Sequence, residues 1–177
     1  QYCIEPFDLN GHLFRVSMTV SDPDKNGQLF RLPAWIPGSY MIREFAKNIV
    51  QIRATCQNRT IRLHKIDKHT WQAEPCDGPV TLSYEVYAWD LSVRSAHVDQ
   101  THAFFNGSSV FLEAVGLENR PHIVDIKKPD SPDTLTWRVI TALPEHKASR
   151  YGFGTYMAKD YDELIDSPVE MGNFMLG

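Results

Sequence analysis

The sequence predicts a mostly β fold, an antiparallel β-sandwich or open barrel-like sheet pair with one or two short helices. Three observations carry it: long apolar–polar alternation, turn signals between short apolar runs, and little helical periodicity. In His12 to Val20 the residues Phe14, Val16, Met18 and Val20 fall on one face, with Arg15, Ser17 and Thr19 on the other. Val80 to Ala88 repeats the pattern with Val80, Leu82, Tyr84, Val86 and Ala88 inward, and Leu135 to Val139 repeats it with Leu135, Trp137 and Val139 inward.

Further strands are predicted at Gln28 to Leu32, Ile49 to Ala54, Ile61 to Ile66, Thr70 to Glu74, Ser109 to Val115 and His122 to Lys127. Turn residues separate them at Asp24-Lys25-Asn26-Gly27, Asp77-Gly78-Pro79, Asn106-Gly107 and Pro129-Asp130-Ser131-Pro132. Helix is expected only around Met41 to Lys47 and at Asp160 to Ile165, where Asp160 can cap and Asp162 and Glu163 suit the positive helix start. Residues 1–160 read as one β-rich domain. Residues 161–177 read as the start of a connection to something downstream, because Asp166 to Gly172 resembles a domain opening and Phe174-Met175-Leu176 lacks an apolar partner.

At 177 residues and 42% hydrophobic, the chain can bury a core without a cofactor. A net charge of -4 and a pI near 6.0 argue against nucleic acid, and Arg53, Arg59, Arg62 and Lys65 fit the solvated face of a hairpin. No apolar run approaches the ~20 residues that cross a bilayer. Cys3, Cys56 and Cys76 form no C-x-x-C pair. Reduced thiols in a cytoplasmic protein are the simplest expectation, with one bridge plus one free thiol, and a trimmed leader peptide, as the alternatives.

Several polar groups invite chemistry. His97, Asp99 and His102 offer three metal-ligand types, since His97 and Asp99 share a strand face and a bend at Gln100 brings His102 round. A polar connection is the favoured reading, so no metal is expected in this chain. His64, Asp67 and His69 read as a hairpin connection, and Asp162, Glu163 and Asp166 as a solvated helix face rather than a glycosidase pair. Pro37-Gly38 fits a type II turn, and Trp35, Tyr40 and Trp89 could form an aromatic platform for carbohydrate in a freestanding binding module.

The stretch Pro33-Ala34-Trp35-Ile36-Pro37-Gly38-Ser39-Tyr40-Met41-Ile42-Arg43-Glu44-Phe45 resembles the N-terminal domain of the glycyl aminopeptidase family of zinc metallopeptidases. The resemblance continues through Asp67 to Trp71, Tyr84 to Arg94, Phe104 to Ser109 and Tyr161 to Gly172. It implies a β-rich, non-catalytic domain followed by a thermolysin-like catalytic domain, which would hold the zinc, and a PDZ-like domain. The zinc motif H-E-x-x-H has no match in this chain, so the resemblance carries over no ligand and no catalytic residue. Peptide substrates with small N-terminal residues such as glycine or alanine are implied for the whole enzyme.

In related, larger aminopeptidase families a Gly-x-Met-Glu-Asn strand supplies a carboxylate to the substrate's α-ammonium. Val169-Glu170-Met171-Gly172-Asn173 is similar in character, with a different order, which makes Glu170, Met171 and Gly172 substrate-binding candidates. Asn106 and Gly107 are candidates for the wall of the first substrate pocket, set against a plain hairpin turn. An H-E-x-x-H downstream of Gly177 would separate the aminopeptidase reading from the freestanding module.

Overall fold

The computed structural model describes residues 1–34 and 41–175. The Pro37-Gly38 turn and the side chains of Trp35 and Tyr40 lie outside the described residues. In chain order the strands begin with β1 (Tyr2–Asp8), β2 (Leu13–Val20), β3 (Leu29–Arg31), β4 (Ile49–Cys56), β5 (Arg59–Ile61), β6 (Leu63–Lys65), β7 (Thr70–Ala73) and β8 (Val80–Tyr87). They continue with β9 (Ala96–Val98), β10 (His102–Phe105), β11 (Glu113–Ala114), β12 (His122–Ile126), β13 (Arg138–Thr141), β14 (Gly154–Ala158) and β15 (Val169–Gly172). Two short helices, α1 (Gly107–Val110) and α2 (Tyr161–Asp166), and two 3-10 turns, Phe45–Asn48 and Pro132–Thr134, complete the described chain.

The fold is mostly β, as the alternation predicts, and its strands make three open sheets. The largest runs β14-β12-β1-β2-β8-β4-β5, and two four-stranded sheets run β13-β15-β10-β9 and β11-β3-β7-β6. Pairing is antiparallel except between β1 and β12. At the centre β2 and β8 pair without slip from Leu13↔Tyr87 to Val20↔Val80, because their apolar sets must face the same core. Phe14, Val16, Met18, Leu82, Tyr84 and Val86 are all buried there. A bulge in β4 between Val50 and Arg53, with Gln51 at φ 53°, shifts the register on β8.

Three predicted elements are corrected. Ser109 to Val115 is not one strand: Asn106 caps α1 by accepting from Ser108 N at 3.2 Å, and Ser109 Oγ donates to the Asn106 carbonyl at 2.7 Å. Such local side-chain bonds compete with a ladder. The carbonyls of Val110, Phe111 and Leu112 instead accept from the hydroxyls of Tyr84, Tyr161 and Tyr2, at 2.7, 2.7 and 2.8 Å. Leu135 points out rather than in, because Pro132 starts a 3-10 turn that carries Leu135 in helical conformation before β13 begins at Arg138. The Ile61 to Ile66 run breaks into β5 and β6.

Around Met41 to Lys47 the helix is only the 3-10 turn Phe45–Asn48. The α2 expectation holds in detail: Asp160 Oδ1 accepts from Glu163 N at 2.8 Å, and Glu163 Oε2 accepts from Lys159 N at 2.6 Å. Tyr161, Leu164 and Ile165 of α2 join the core, and β15 lies between β13 and β10.

Cys56 and Cys76 form a disulfide, which corrects the expectation of reduced thiols, while Cys3 is free and half-buried. The bond ties the end of β4, in the seven-stranded sheet, to the segment after β7, in another sheet. No helix among the described residues is long and apolar enough to cross a membrane.

Candidate functional site

The site is best built from the sheet β13-β15-β10-β9, because it carries Glu170. Register sets two rows across it. Val139, Met171, Ala103 and Val98 align on the inner face and are buried. Ile140, Glu170, Phe104 and His97 align on the other face. There Glu170 is exposed between the apolar side chains of Ile140 and Phe104, as strand alternation requires of a residue next to buried Val169 and Met171. The next row places Arg138, Gly172 and His102 side by side on the same face. A Cβ on Gly172 would stand 3.3 Å from both the His102 Cβ and the Phe174 ring, so a larger residue there would crowd both side chains.

The predicted site residues therefore separate. Glu170 and Gly172 share the open face, while Met171 points into the core. Asn106 is spent on capping α1, and Gly107 is buried with space only for hydrogen: a Cβ would lie 2.6 Å from the Leu164 carbonyl oxygen. Asp162, Glu163 and Asp166 lie along one short helix, and Arg53, Arg59, Arg62 and Lys65 are exposed. Asp67 accepts from His69 N at 2.8 Å inside the β6–β7 turn, consistent with a hairpin connection. That bond leads the causes that hold its carboxyl below the usual range.

The structure brings His97, Asp99 and His102 together at the β9–β10 turn, with ligand atoms within 4.8 Å of one another. Asp99 accepts from Thr101 N and Thr101 Oγ1, both at 2.7 Å, and from His102 N at 3.0 Å, all through Oδ1. Its Oδ2 accepts from His97 Nε2 at 2.9 Å. These bonds outweigh the opposing desolvation, the largest single contribution, and hold the Asp99 carboxyl well below the usual carboxylate range. Four rings continue from the turn: His102 stacks on His97 at 4.9 Å, His97 on Trp89 at 4.8 Å, and Trp89 lies 3.8 Å from His12. His12 Nδ1 donates to the Val98 carbonyl at 2.7 Å and fixes the far end. Sequence inspection misses this stack because His12 lies 85 positions from His97 and only the sheet joins them.

A second feature absent from the sequence reading is a cleft of ≈ 440 Å³ lined by Leu32, Pro33, Asp67, His69 and Tyr161, with the Arg31–Glu113 pair at its edge. Arg31 Nε and Nη2 both donate to Glu113 Oε2, at 2.9 and 2.6 Å. Three of the stretches that carry the family resemblance meet at this cleft.

The domain is mostly β and presents a carboxylate, Glu170, on one face of the sheet β13-β15-β10-β9. The family model of the Peptidase M61 N-terminal domain matches residues 1–173, and the chain belongs to that family. The chain is also similar, with a TM-score of 0.95 and 40% identity, to the crystal structure of an aminopeptidase N family protein from Idiomarina loihiensis. That match covers 99% of this chain and 30% of the other, so this chain spans less than a third of its solved relative. No curated protein matches the chain. The H-E-x-x-H that the resemblance assigns to a catalytic domain is absent from this sequence, so the residues here do not fit that zinc and carry none of its chemistry.

Proposed function

We propose that this chain is the N-terminal, non-catalytic domain of a zinc-dependent aminopeptidase that releases small N-terminal residues such as glycine or alanine, and that it shapes the substrate cleft. Zinc and the hydrolytic residues belong to a catalytic domain outside this chain, accompanied by a PDZ-like domain. The carrying observation is the placement of Glu170, an exposed carboxylate between Ile140 and Phe104 on the outward face of the sheet β13-β15-β10-β9. A carboxylate so placed can bind the substrate's α-ammonium by a charge-assisted hydrogen bond and thereby fix the scissile bond.

The cytoplasmic location expected from reduced thiols loses its basis in the Cys56–Cys76 bond, which favours an oxidising compartment instead. A freestanding carbohydrate module would have rested on Trp35, Tyr40 and Trp89. Trp89 is half exposed, but its ring packs against both His97 and His12.

The test is Glu170→Gln in the full-length protein. Losing a bond to an ionised group worth ~1.5–3 kcal/mol lowers kcat/KM on free glycyl substrates roughly tenfold to a hundredfold. N-acetylated substrates, where they are turned over measurably, should be unaffected. Equal efficiency of variant and parent on the free substrate removes the ammonium role and leaves Glu170 an interdomain residue.

A further inference from the structure

We infer that the β9–β10 turn is a binding site for one divalent transition-metal ion of the zinc type, held by His97, Asp99 and His102. The sequence alone favours a polar connection at this turn, but the geometry points elsewhere. His97 on β9, Asp99 in the turn just past it and His102 at the start of β10 hold their ligand atoms within 4.8 Å of one another, close enough to converge on one ion. The donor set of two imidazoles and one carboxylate suits zinc, cobalt, nickel or copper, and is poor in oxygen for calcium or magnesium.

Three features make the turn a prepared site. The two carboxylate oxygens of Asp99 are divided in labour. Oδ1 is saturated by the turn's own donors, so the turn is fixed, and Oδ2 is left facing the His97 ring. His97 is oriented by burial, its side chain being 3% exposed, and by the Trp89 ring stacked on it. Its Nδ1 is buried without a hydrogen-bond partner, so protein groups leave this imidazole half satisfied. The nitrogen placed to ligate the ion is the ring's other one, Nε2, which faces Asp99 Oδ2 at 2.9 Å.

The third ligand supplies access. The His102 side chain is 32% exposed and that of Asp99 26%, so an ion can enter from solvent and keep water in its remaining positions. Metal–nitrogen bonds of about 2.0–2.1 Å in a tetrahedral site put donors roughly 3.4 Å apart. The widest separation here is 4.8 Å, and the exposed His102 side chain can rotate to close it. The ion would take the place of the proton that His97 Nε2 now shares with Asp99 Oδ2, and that proton leaves to solvent. The site adjoins Glu170, because Glu170 is the diagonal neighbour of His102 across β10 and β15. It is independent of the proposed peptide-binding role.

The experiment is a Co²⁺ titration of the metal-free 177-residue chain, followed by visible absorption and by calorimetry, with Zn²⁺ as competitor. One Co²⁺ per chain, with ligand-field bands that Zn²⁺ abolishes and a melting temperature that rises with ion concentration, is the expected result. His102→Ala and Asp99→Asn should each weaken binding tenfold or more. Both keep the fold within reach, since His102 is partly exposed and asparagine can still cap the turn. His97→Gln is a third variant, read only if its circular dichroism matches the parent. Absence of stoichiometric binding overturns the assignment. So does binding that survives both His102→Ala and Asp99→Asn, which would place the ion on other histidines such as His64 and His69.

Discussion

Tyr84→Phe should be the most damaging single-atom deletion in this domain. The Tyr84 hydroxyl donates to the Val110 carbonyl at 2.7 Å and accepts from Leu112 N at 3.2 Å, whereas the Tyr161 and Tyr2 hydroxyls each serve one carbonyl. All of these groups are sealed from water, with Tyr84 at 1% and Val110 and Leu112 at 0% exposure. Each buried polar group left without a partner costs about 1–3 kcal/mol, and an orphaned N–H is less tolerated than a carbonyl with its second lone pair. Tyr84→Phe should therefore cost about 2–5 kcal/mol, and Tyr161→Phe and Tyr2→Phe about 1–2 kcal/mol each. In a domain of this size a loss of about 3 kcal/mol lowers Tm by roughly 6–12 °C.

The assay is urea unfolding followed by circular dichroism and tryptophan fluorescence, which should coincide for a two-state transition. If Tyr84→Phe proves no more costly than Tyr161→Phe at equal m, the double role of its hydroxyl is refuted. The consequence reaches beyond stability. The segment the three tyrosines hold begins at Val110, the last residue of α1; α1 packs on α2, and α2 leads directly into the strand that bears Glu170.

Other expectations follow from the same structure. Gly107→Ala drives a methyl to 2.6 Å from the Leu164 carbonyl oxygen and 2.9 Å from the Ile165 Cα, so it should cost about 1–3 kcal/mol, read as a fall in urea midpoint. Breaking the Cys56–Cys76 bond, which spans 20 positions, should cost ~3 kcal/mol, read as the midpoint difference between the parent and Cys56→Ser/Cys76→Ser in oxidising buffer. His122 is buried between Tyr2 and Tyr161, and desolvation lowers its pKa below the ordinary 6.5, with the N-terminal ammonium adding to this and the Glu118 carbonyl opposing it. Below 6.5 the unfolded chain takes up this proton first, so stability should fall with pH from 6.5 down to the lowered folded value and be flat above. His122→Phe should abolish that slope in a pH series of melting curves, and an unchanged slope would assign it to other groups.

Local pattern was enough for β2 and β8, because a strand buried on one face must alternate, and no tertiary partner can alter that without exposing Phe14 or Leu82. It was also enough for α2, where Asp160 and Glu163 close a cap within four residues. Local pattern failed at Ser109 to Val115, whose apolar residues suit a strand. The hydroxyls that take up their carbonyls come from Tyr2, Tyr84 and Tyr161, which are 110, 26 and 50 positions away. It failed at β1 as well, where Pro6 obscures an alternation that β2 and β12 complete from either side.

The candidate site divides the same way. Resemblance located Glu170, but only the register of β13, β15 and β10 decided that it faces outward between Ile140 and Phe104 while Met171 is buried. Asn106 and Gly107 are legible as turn residues, yet the space at Gly107 is fixed by α2, an element more than fifty positions away. Alternation and capping determine elements such as β2, β8 and α2, whose signals lie among neighbours along the chain. Which side chains meet depends on pairing between distant strands, and that is a property of the packed sheets alone.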